Sequence, residues 1–342
     1  YASVAPAFTW VQRRRDIVLV DQRGTGESQA LKCPFPDEED MLELSAEEMR
    51  AFTRRCLEAL KNDPRFYTTS VAVRDLEAVR TALGYEQVNL YGVSYGTRVA
   101  QHYLRRYPAR VRTVILDGVV PPQQALGVDS ALQAQRALEQ IFARCRADAD
   151  CNKAFPDPAA DFATLRARLT REPAQVTFAD PVRGEATTVT LRLVDLQMAV
   201  RLLSYNVQHA ALLPLLLHEG AARNNLAPLA AQSHMIAAQL EDALSIGMHN
   251  AVVCTEDAPL FKAAPPDRKA LAASYLGTQQ IDLLEHMCAL WPRGILDEDF
   301  HAPLDSRTPA LLLSGGADPV TPPAYAERAL AGLHNSLHIV ME

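Results

Sequence analysis

The sequence predicts an α/β fold, in which a mostly parallel β-sheet is flanked by helices and a large, mainly helical segment interrupts the strands. Three observations lead to this fold. The first third of the chain alternates short β-branched runs with amphipathic helical patterns, the pattern turns mostly helical after Pro121, and strand character returns at residues 310–314. Strands separated by helices favour parallel pairing through right-handed crossovers.

The first predicted strand covers residues 16–20, a short apolar run that ends at the turn-like residues 22–26. Continuous β-branched runs are typical of strands covered on both faces, so we expect this strand to be buried. Apolar residues then recur at helical spacing over residues 45–60, and Ser45 with Glu48 fits a capping box. The sequence therefore predicts that the first helix starts at Ser45.

A second amphipathic helix is predicted over residues 70–83, where Gly84 supplies a C-terminal stop signal. The core then continues with a strand over 87–91, a helix over 95–107 that Pro108 stops, and a strand over 111–116. After the helical interruption, further strands are expected over 310–314 and 337–341.

The chain divides into two predicted parts. Residues 1–122 and 302–342 form the α/β core, and residues 123–301 form a mainly helical cap inserted between two core strands. The cap is rich in Ala, Leu and Gln, and one extended piece over residues 175–193 interrupts its helices. No sequence repeat divides the chain further.

Composition excludes several classes of protein. Apolar residues make up 48% of the 342 residues and charged residues 22%, which is typical of a globular chain and not of a disordered one. The formal net charge of −7 argues against a nucleic-acid surface, and no apolar stretch is long enough for a membrane span. Because the sequence has no zinc-like Cys/His spacing and no phosphate-binding loop, we expect no metal and no organic cofactor.

Both ends of the sequence have the features of a processed or partial chain. The chain starts without Met, and it stops at Glu342 within the strand expected over 337–341. We therefore expect a mature or fragmentary chain, so that the lack of an export signal carries little information.

The strongest chemical signal is the Gly-Val-Ser-Tyr-Gly of residues 92–96. A predicted strand leads into it and a predicted helix leads out, which is the setting of a nucleophile elbow. We expect side chains at Gly92 and Gly96 to collide with neighbouring backbone, and Ser94 to stand above the sheet as a nucleophile. The Tyr95 N–H and the helix N-terminus then face one point and stabilise an oxyanion there. The alternative is a glycine-rich turn with an incidental serine.

A serine hydroxyl needs a base, and the base needs a group that orients it. Asp318 follows the strand expected over 310–314, and this position suits the acid in the chain order Ser, Asp, His. The alternative is an aspartate that caps the turn before Pro319. We take Asp318 as the candidate acid.

The expected base is a histidine just past the strand over 337–341, which places it beyond Glu342. Three histidines within the sequence are alternatives, and we interpret each as structural. His334 precedes that strand, His338 lies within it, and His102 lies on the helix after the elbow.

The six cysteines fall into near pairs, which are Cys33 with Cys56, Cys145 with Cys151, and Cys254 with Cys288. Near-neighbour pairing costs least in loop closure, but sequence alone does not choose among the possible pairings. The alternative is that some of these cysteines are buried, unreactive thiols. Bridged cysteines would indicate folding in an oxidising compartment.

Three motifs follow one another in a specific order, namely Asp-Gln-Arg-Gly-Thr-Gly-Glu-Ser over 21–28, Gly-Val-Ser-Tyr-Gly-Thr over 92–97 and Ser-Gly-Gly-Ala-Asp-Pro-Val-Thr-Pro over 314–322. Together they resemble the proline iminopeptidase branch of the α/β-hydrolases, most closely its secreted tripeptidyl aminopeptidase-like members. The resemblance spans nearly the whole chain. It implies an α/β-hydrolase fold and a serine exopeptidase that acts on free N-termini beneath a helical cap.

The resemblance also implies roles for charged residues. Members of the family bind the substrate α-amine with carboxylates from the cap region, which implies Glu256 first and Asp257 second, with ordinary surface acids as the alternative. The turn at 21–28 shapes the floor of the site, and the charges of Asp21 and Arg23 are expected to pair locally.

The resemblance favours bridged cysteines, above all Cys254 with Cys288, and hence a secreted or periplasmic protein. Some family elements do not occur in this sequence: a His-Gly-Gly-Pro-Gly-like loop upstream of Asp21, a C-terminal Gly-His-Gly, and the Trp-x-x-Trp-Glu element of narrower proline iminopeptidases. The last absence puts a strict proline preference in doubt.

The hypothesis is a cofactor-free serine hydrolase, an aminopeptidase that releases residues or short peptides through an acyl-enzyme. Its expected partner is a peptide with a free N-terminus. Two alternatives remain open. One is a carboxylesterase with the same triad, because chemistry at the elbow does not fix the leaving group, and the other is a non-catalytic binding protein on the same scaffold.

Overall fold

The computed structural model describes residues 5–33, 44–243 and 245–342. Strands within these ranges are β1 (Val88–Val93), β2 (Val111–Asp117), β3 (Ala174–Ala179), β4 (Ala186–Leu191), β5 (Ala310–Gly315) and β6 (Ser336–Met341). In the described residues, four of them form a sheet in the order β1-β2-β5-β6, and every neighbouring pair in it is parallel. This sheet confirms the predicted α/β class.

The helices flank this sheet and fill the segment between β2 and β5. They are α1 (Ala46–Ala59), α2 (Thr69–Ala82), α3 (Tyr95–Arg106), α4 (Ser130–Ala147), α5 (Ala149–Ala154), α6 (Pro158–Arg171), α7 (Leu193–Leu203), α8 (Val207–Ala210), α9 (Leu213–Ala222), α10 (Ala227–Ala243), α11 (Ile246–Val252), α12 (Ala258–Ala263), α13 (Arg268–Ala273), α14 (Gln279–Cys288) and α15 (Pro323–Leu330). A π-helical turn, Val253–Asp257, joins α11 to α12. Short 3₁₀ turns cover Ala5–Phe8, Pro64–Phe66 and Pro108–Arg110.

Local start and stop signals set the helix ends that the sequence predicts. The Ser45 N–H donates to Glu48 Oε2 at 2.8 Å and the Glu48 N–H donates to Ser45 Oγ at 3.3 Å, so the capping box of α1 is complete. At the end of α3, Tyr107 is the last capping residue before Pro108. Both predictions are confirmed.

The predicted strand over residues 16–20 is wrong. These residues adopt no strand, and the side chains of Val18, Leu19 and Val20 are 47%, 62% and 39% exposed. The sheet ends at β1, and within the described ranges residues 16–20 pair with no strand. An apolar run forms a strand only where a neighbour completes its ladder of hydrogen bonds, and that condition is long-range.

The segment between β2 and β5 is mainly helical and contains one antiparallel hairpin, β3 with β4, where the sequence predicts an extended piece. Its helices bury a large apolar cluster in which Leu165 on α6 and Leu217 on α9 are fully buried. A second cluster lies against the parallel sheet and includes Leu116 and Leu312. None of the described helices is long and apolar enough to cross a membrane.

Three disulfides confirm the near-neighbour pairing of the cysteines. Cys33–Cys56 ties the segment before α1 to that helix, and Cys145–Cys151 ties α4 to α5. Cys254–Cys288 ties the π-helical turn to the end of α14, across 34 residues of chain. The last bridge therefore fixes the turn that carries Glu256 and Asp257.

Candidate active site

Ser94 occupies the sharp turn between β1 and α3. A single residue joins the strand to the helix, and its backbone takes the strained values φ 51° and ψ −121°. Its N–H donates to the carbonyl of Asp117 at 2.8 Å, at the carboxyl end of the neighbouring strand β2. The Ser94 side chain is exposed, so the turn presents its hydroxyl above the carboxyl edge of the sheet.

The two glycines of the motif differ in what they contribute. A Cβ atom at Gly92 would lie 2.3 Å from the carbonyl oxygen of Gly96, so only glycine fits at position 92. A Cβ atom at Gly96 would meet nothing within 4 Å. The prediction that both positions require glycine is therefore wrong for Gly96, because it is the carbonyl of residue 96 that approaches the strand, not its side-chain position.

Tyr95 is the first residue of α3. Its N–H has no carbonyl one turn earlier within the helix, so it is one of the free donors at the helix N-terminus, beside Ser94. The Tyr95 hydroxyl lies 2.6 Å from Thr69 Oγ1, and Gln22 Nε2 donates to it at 3.2 Å. Burial raises the pKa of this phenol, and the nearby Glu256 raises it further. The phenol therefore stays protonated, and Thr69 and Gln22 hold its hydroxyl from two sides.

Asp318 lies in the loop after β5, and its carboxylate is held firmly. Its Oδ1 accepts the N–H groups of Val320 and Thr321, both at 2.8 Å, and its Oδ2 accepts the Thr321 hydroxyl at 2.8 Å. These bonds are those of an aspartate that caps a turn, and they also fix the carboxylate in one orientation. The two interpretations of Asp318 are therefore compatible.

Gly118 shows how closely Ser94 and Asp318 approach each other. This residue follows β2 with a φ of 64°, and the position of a Cβ atom on it would lie 3.8 Å from the Ser94 nitrogen and 3.8 Å from Asp318 Oδ2. These two atoms can be no farther apart than twice that distance. The parallel order of β1, β2 and β5 produces this proximity, because their carboxyl ends meet at one edge.

The histidines do not complete the constellation. All nine lie in the described ranges, and none of them hydrogen-bonds to Ser94 Oγ in that part of the chain. His102 Nε2 lies 2.8 Å from Asp297, His334 pairs with Asp305, and His338 Nε2 lies 3.0 Å from Ser314 Oγ. Each of the three histidines considered from sequence thus has a partner away from the elbow.

Glu256 and Asp257 lie on the π-helical turn Val253–Asp257, and both side chains are fully buried. Thr69 donates its N–H to Glu256 Oε1 at 2.7 Å and its hydroxyl to Oε2 at 3.0 Å. Asp257 Oδ1 accepts from Arg98 Nη2 at 2.9 Å and from the Leu126 N–H at 2.8 Å. Neither carboxylate is open to solvent, so the structure places them beneath the site and not on its surface.

Arg98 joins these carboxylates to the elbow helix. It lies one turn after Ser94, is 1% exposed, and approaches Glu256 at 3.5 Å as well as Asp257. Burial raises the pKa of Glu256 to about 7, Arg98 opposes this rise, and Asp257 adds to it. Because one buried cation, Arg98, faces two acids, Glu256 changes between its charged and neutral forms near pH 7.

Two exposed side chains lie near charged groups of the candidate site. Tyr205 is 53% exposed, yet burial raises the pKa of its phenol; Arg201 opposes this, and the Asp318 carboxylate adds to it. His249 is likewise exposed, and burial lowers its pKa against the effect of Asp257. The segment between β2 and β5 therefore brings Tyr205 near Asp318 and His249 near Asp257.

The sequence missed three residues of this arrangement. Thr69 and Gln22 reach Tyr95 from distant parts of the chain, and Arg98 pairs with Asp257. Arg98 carried a weak signal, since an arginine one turn after the elbow is expected to need a partner once that helix is buried. The expected local pairing of Asp21 with Arg23 is wrong, because Arg23 bonds with Asp75 on α2.

Two families of known proteins match parts of this chain. Residues 5–205 match the family described as alpha/beta hydrolase fold. The chain belongs to the α/β-hydrolase fold family. Residues 273–342 of this α/β-hydrolase, which include Asp318, match a second family, described as TAP-like protein.

Several curated α/β-hydrolase relatives are similar to parts of the chain. Serine protease Hip1 of Mycobacterium tuberculosis is 32% identical over 167 residues, which are 44% of this chain and 32% of that protein. The putative hydrolase YuaR of Escherichia coli is 33% identical over 110 residues, 31% of this chain and 22% of that protein. Tripeptidyl aminopeptidase of Streptomyces lividans is 31% identical over 122 residues, 32% of this chain and 23% of that protein. The chain thus matches about a third or less of each relative's length.

Proposed function

We propose that this α/β-hydrolase is a serine hydrolase that cleaves through an acyl-enzyme and acts as an aminopeptidase on peptides with a free N-terminus. One observation carries the proposal. Ser94 stands at a strained turn between strand and helix, beside the Tyr95 N–H and close to the fixed carboxylate of Asp318. The names of the relatives, a serine protease and a tripeptidyl aminopeptidase, support peptides as the substrate class.

The reaction assigns one role to each residue. Ser94 Oγ attacks the scissile carbonyl and passes its proton to a histidine, Asp318 orients that histidine and stabilises its cation, and the Tyr95 N–H stabilises the oxyanion. The amine leaves with the proton from the histidine, and water then hydrolyses the acyl-enzyme by the same route. No metal or organic cofactor takes part in these steps.

The histidine is proposed to follow β6. Gly315 pairs with Met341, and the Gly316 N–H donates to the Met341 carbonyl at 2.8 Å, so the carboxyl end of β6 runs beside the loop that carries Asp318. A residue shortly after Glu342 would enter the space next to that carboxylate. This position supports the base expected from the chain order of the family.

The substrate amine is proposed to bind on the cap side, with Glu256 or Asp257 as its acceptor. The charge of the π-helical turn supports this, and Asp257 Oδ2 is buried without a hydrogen-bond partner among the described residues. The burial of both carboxylates means that an amine reaches them only if the cap opens. The three disulfides support a secreted or periplasmic location.

A labelling experiment tests the catalytic claim. A fluorophosphonate probe should modify Ser94 in the full-length protein, S94A should abolish both labelling and turnover, and the partly exposed S336A should change neither. Failure to label Ser94 would favour a binding protein on a hydrolase scaffold. An unblocked aminoacyl anilide should be cleaved much faster than its N-acetylated form, and equal rates on both would favour a carboxylesterase.

A further inference from the structure

A chain of hydrogen bonds, partly buried at Gln22 and Tyr95 and fully buried at Thr69 and Glu256, runs from the turn at residue 22 to the π-helical turn Val253–Asp257. Gln22 Nε2 donates to the Tyr95 hydroxyl at 3.2 Å, that hydroxyl lies 2.6 Å from Thr69 Oγ1, and Thr69 Oγ1 donates to Glu256 Oε2 at 3.0 Å. Thr69 and Glu256 are both fully buried. Gln22 and Thr69 therefore contact the Tyr95 hydroxyl directly, and Glu256 is linked to it through Thr69. The Tyr95 N–H is the proposed oxyanion donor.

We propose that Thr69 and Glu256 are positioning residues of the reaction, which hold the Tyr95 ring and thereby fix the Tyr95 N–H as an oxyanion donor. The inference rests on the proposed function. Tyr95 is the first residue of α3, directly after Ser94, and its hydroxyl is the group that this chain of bonds reaches at the elbow. A fixed ring restricts the rotation of the peptide unit that carries the N–H.

Each hydroxyl has one hydrogen to donate, and this fixes which group donates and which accepts in every bond of the chain. Ionised Glu256 only accepts, so the single hydrogen of the Thr69 hydroxyl goes to Oε2. The Tyr95 hydroxyl must then donate to Thr69 Oγ1 and accept from Gln22 Nε2. Every hydrogen in the chain has an acceptor in this arrangement, which makes it a complete network.

Protonation of Glu256 reverses that direction. Its Oε1 already accepts the Thr69 N–H at 2.7 Å, so an added proton resides on Oε2 and points at Thr69 Oγ1. The Thr69 hydroxyl then turns towards the Tyr95 oxygen, and the phenolic hydrogen loses its acceptor. The charged groups that face Glu256 are Arg98 from α3 and Asp257 on its own turn, and the Tyr95 phenol is neutral. The charge on Glu256 thus selects how Tyr95 is held.

The same chain ties the elbow to the cap. Thr69 is the first residue of α2 and gives both its N–H and its hydroxyl to the π-helical turn that Cys254–Cys288 anchors. A cap that is displaced from Thr69 therefore also releases the Tyr95 ring. The position of the cap is therefore coupled to the orientation of the Tyr95 N–H.

The test compares kcat and KM of the full-length enzyme for an unblocked aminoacyl anilide. T69V and Y95F each remove one hydroxyl of the chain, and E256Q keeps the shape but forces the reversed direction. We expect each variant to lower kcat by about 10- to 100-fold. KM should change by about twofold or less in T69V and Y95F, and by more in E256Q, which also removes the charge of a proposed acceptor of the substrate amine. T69S restores the hydroxyl and should recover most of kcat. The double variant T69V/Y95F should be no slower than the worse single variant, because both break one chain.

Matched controls separate positioning from folding. Thr53 and Tyr103 are also buried and donate hydroxyl bonds, to the Met49 carbonyl and to Glu77, away from the elbow. T53V and Y103F should therefore lower thermal stability to a similar extent and leave kcat unchanged. Unchanged kcat in T69V and Y95F would overturn the inference, as would losses of kcat that T53V and Y103F share.

The outcome also distinguishes this inference from the proposed function. If wild-type Ser94 reacts with a fluorophosphonate probe while T69V, Y95F and E256Q keep the wild-type kcat, only the positioning role fails. If Ser94 does not react in the wild type, the proposed function fails and the inference falls with it.

Discussion

The Ser94 N–H donates to the Asp117 carbonyl at 2.8 Å, which ties the strained turn after β1 to the carboxyl end of β2. The next residue, Gly118, donates its N–H to the Leu313 carbonyl of β5 at 3.0 Å. Two consecutive backbone bonds therefore connect the three strand ends that carry the candidate nucleophile and the candidate acid. The order of the strands, and not any direct contact between side chains, aligns Ser94 with Asp318.

The glycine motif gives the first prediction. G92A should abolish or strongly impair folding and labelling of Ser94, because its Cβ atom would lie 2.3 Å from the Gly96 carbonyl oxygen. G96A should fold normally and gain up to about 1 kcal/mol, since position 96 is open and helical alanine is favoured over glycine. Urea unfolding and fluorophosphonate labelling measure both. Equal behaviour of the two variants would contradict the asymmetry.

The elements that the sequence predicted correctly are those set by residues close together in the chain. The capping box at Ser45, the stop at Pro108 and the strand–turn–helix around Ser94 depend on residues within one or two turns of one another, and the structure has all three elements. Periodicity and caps are local properties of a chain, so they can be read without knowledge of its neighbours.

The features that could not be predicted from the sequence depend on contacts between residues far apart in the chain. Residues 16–20 have the pattern of a buried strand, but the partner needed for its ladder is not a property of that pattern. The bonds from Thr69 to Glu256 join residues 187 positions apart, and the bond from Arg98 to Asp257 joins residues 159 positions apart. The alternative that Glu256 and Asp257 are ordinary surface acids is wrong, because their partners arrive from the core helices and bury both carboxylates.

Asp318 is the subject of the second prediction. D318N should fold and should lower kcat by about 10³- to 10⁴-fold, because an amide cannot stabilise the histidine cation and disturbs the bond to the Thr321 hydroxyl. Steady-state kinetics with an aminoacyl anilide provide the measurement. The control is D305N, whose side chain is 86% exposed and pairs only with His334 at the surface, and it should keep full activity. A D318N enzyme with wild-type kcat would leave Asp318 as a turn cap alone.

The disulfides lead to the third prediction. The Cys254–Cys288 bridge closes 34 residues and the Cys145–Cys151 bridge closes 6, so the longer loop should constrain the unfolded chain more strongly. We expect C254A/C288A to lower the free energy of unfolding by about 1.5 kcal/mol more than C145A/C151A does. The former should also lower kcat, because it loosens the turn that carries Glu256. Thermal unfolding and kinetics of both double variants test the two parts separately.

The pH dependence of stability gives the fourth prediction. Burial raises the pKa of Glu256 from its ordinary value of 4.5 to about 7. Between these values the folded protein binds more protons than the unfolded chain, so this group stabilises the fold below about pH 4.5 and its contribution is lost as the pH rises through about 7. The loss is on the order of 3 kcal/mol when the shift is fully expressed. Two histidines with lowered pKa values, the buried His102 and the exposed His249, act in the opposite direction.

A comparison of variants isolates Glu256 from those histidines. The free energy of unfolding in urea is measured at about pH 5 and about pH 7.5 for the wild type and for E256Q, and the histidine contributions cancel in the difference between them. E256Q should gain relative to the wild type as the pH rises. The control E77Q should show no such gain, because the Arg80 hydrogen bond holds the pKa of Glu77 at about 2, outside this range. A parallel pH dependence of wild type and E256Q would mean that Glu256 is already ionised throughout, and the buried cation of Arg98 would then outweigh the cost of burial.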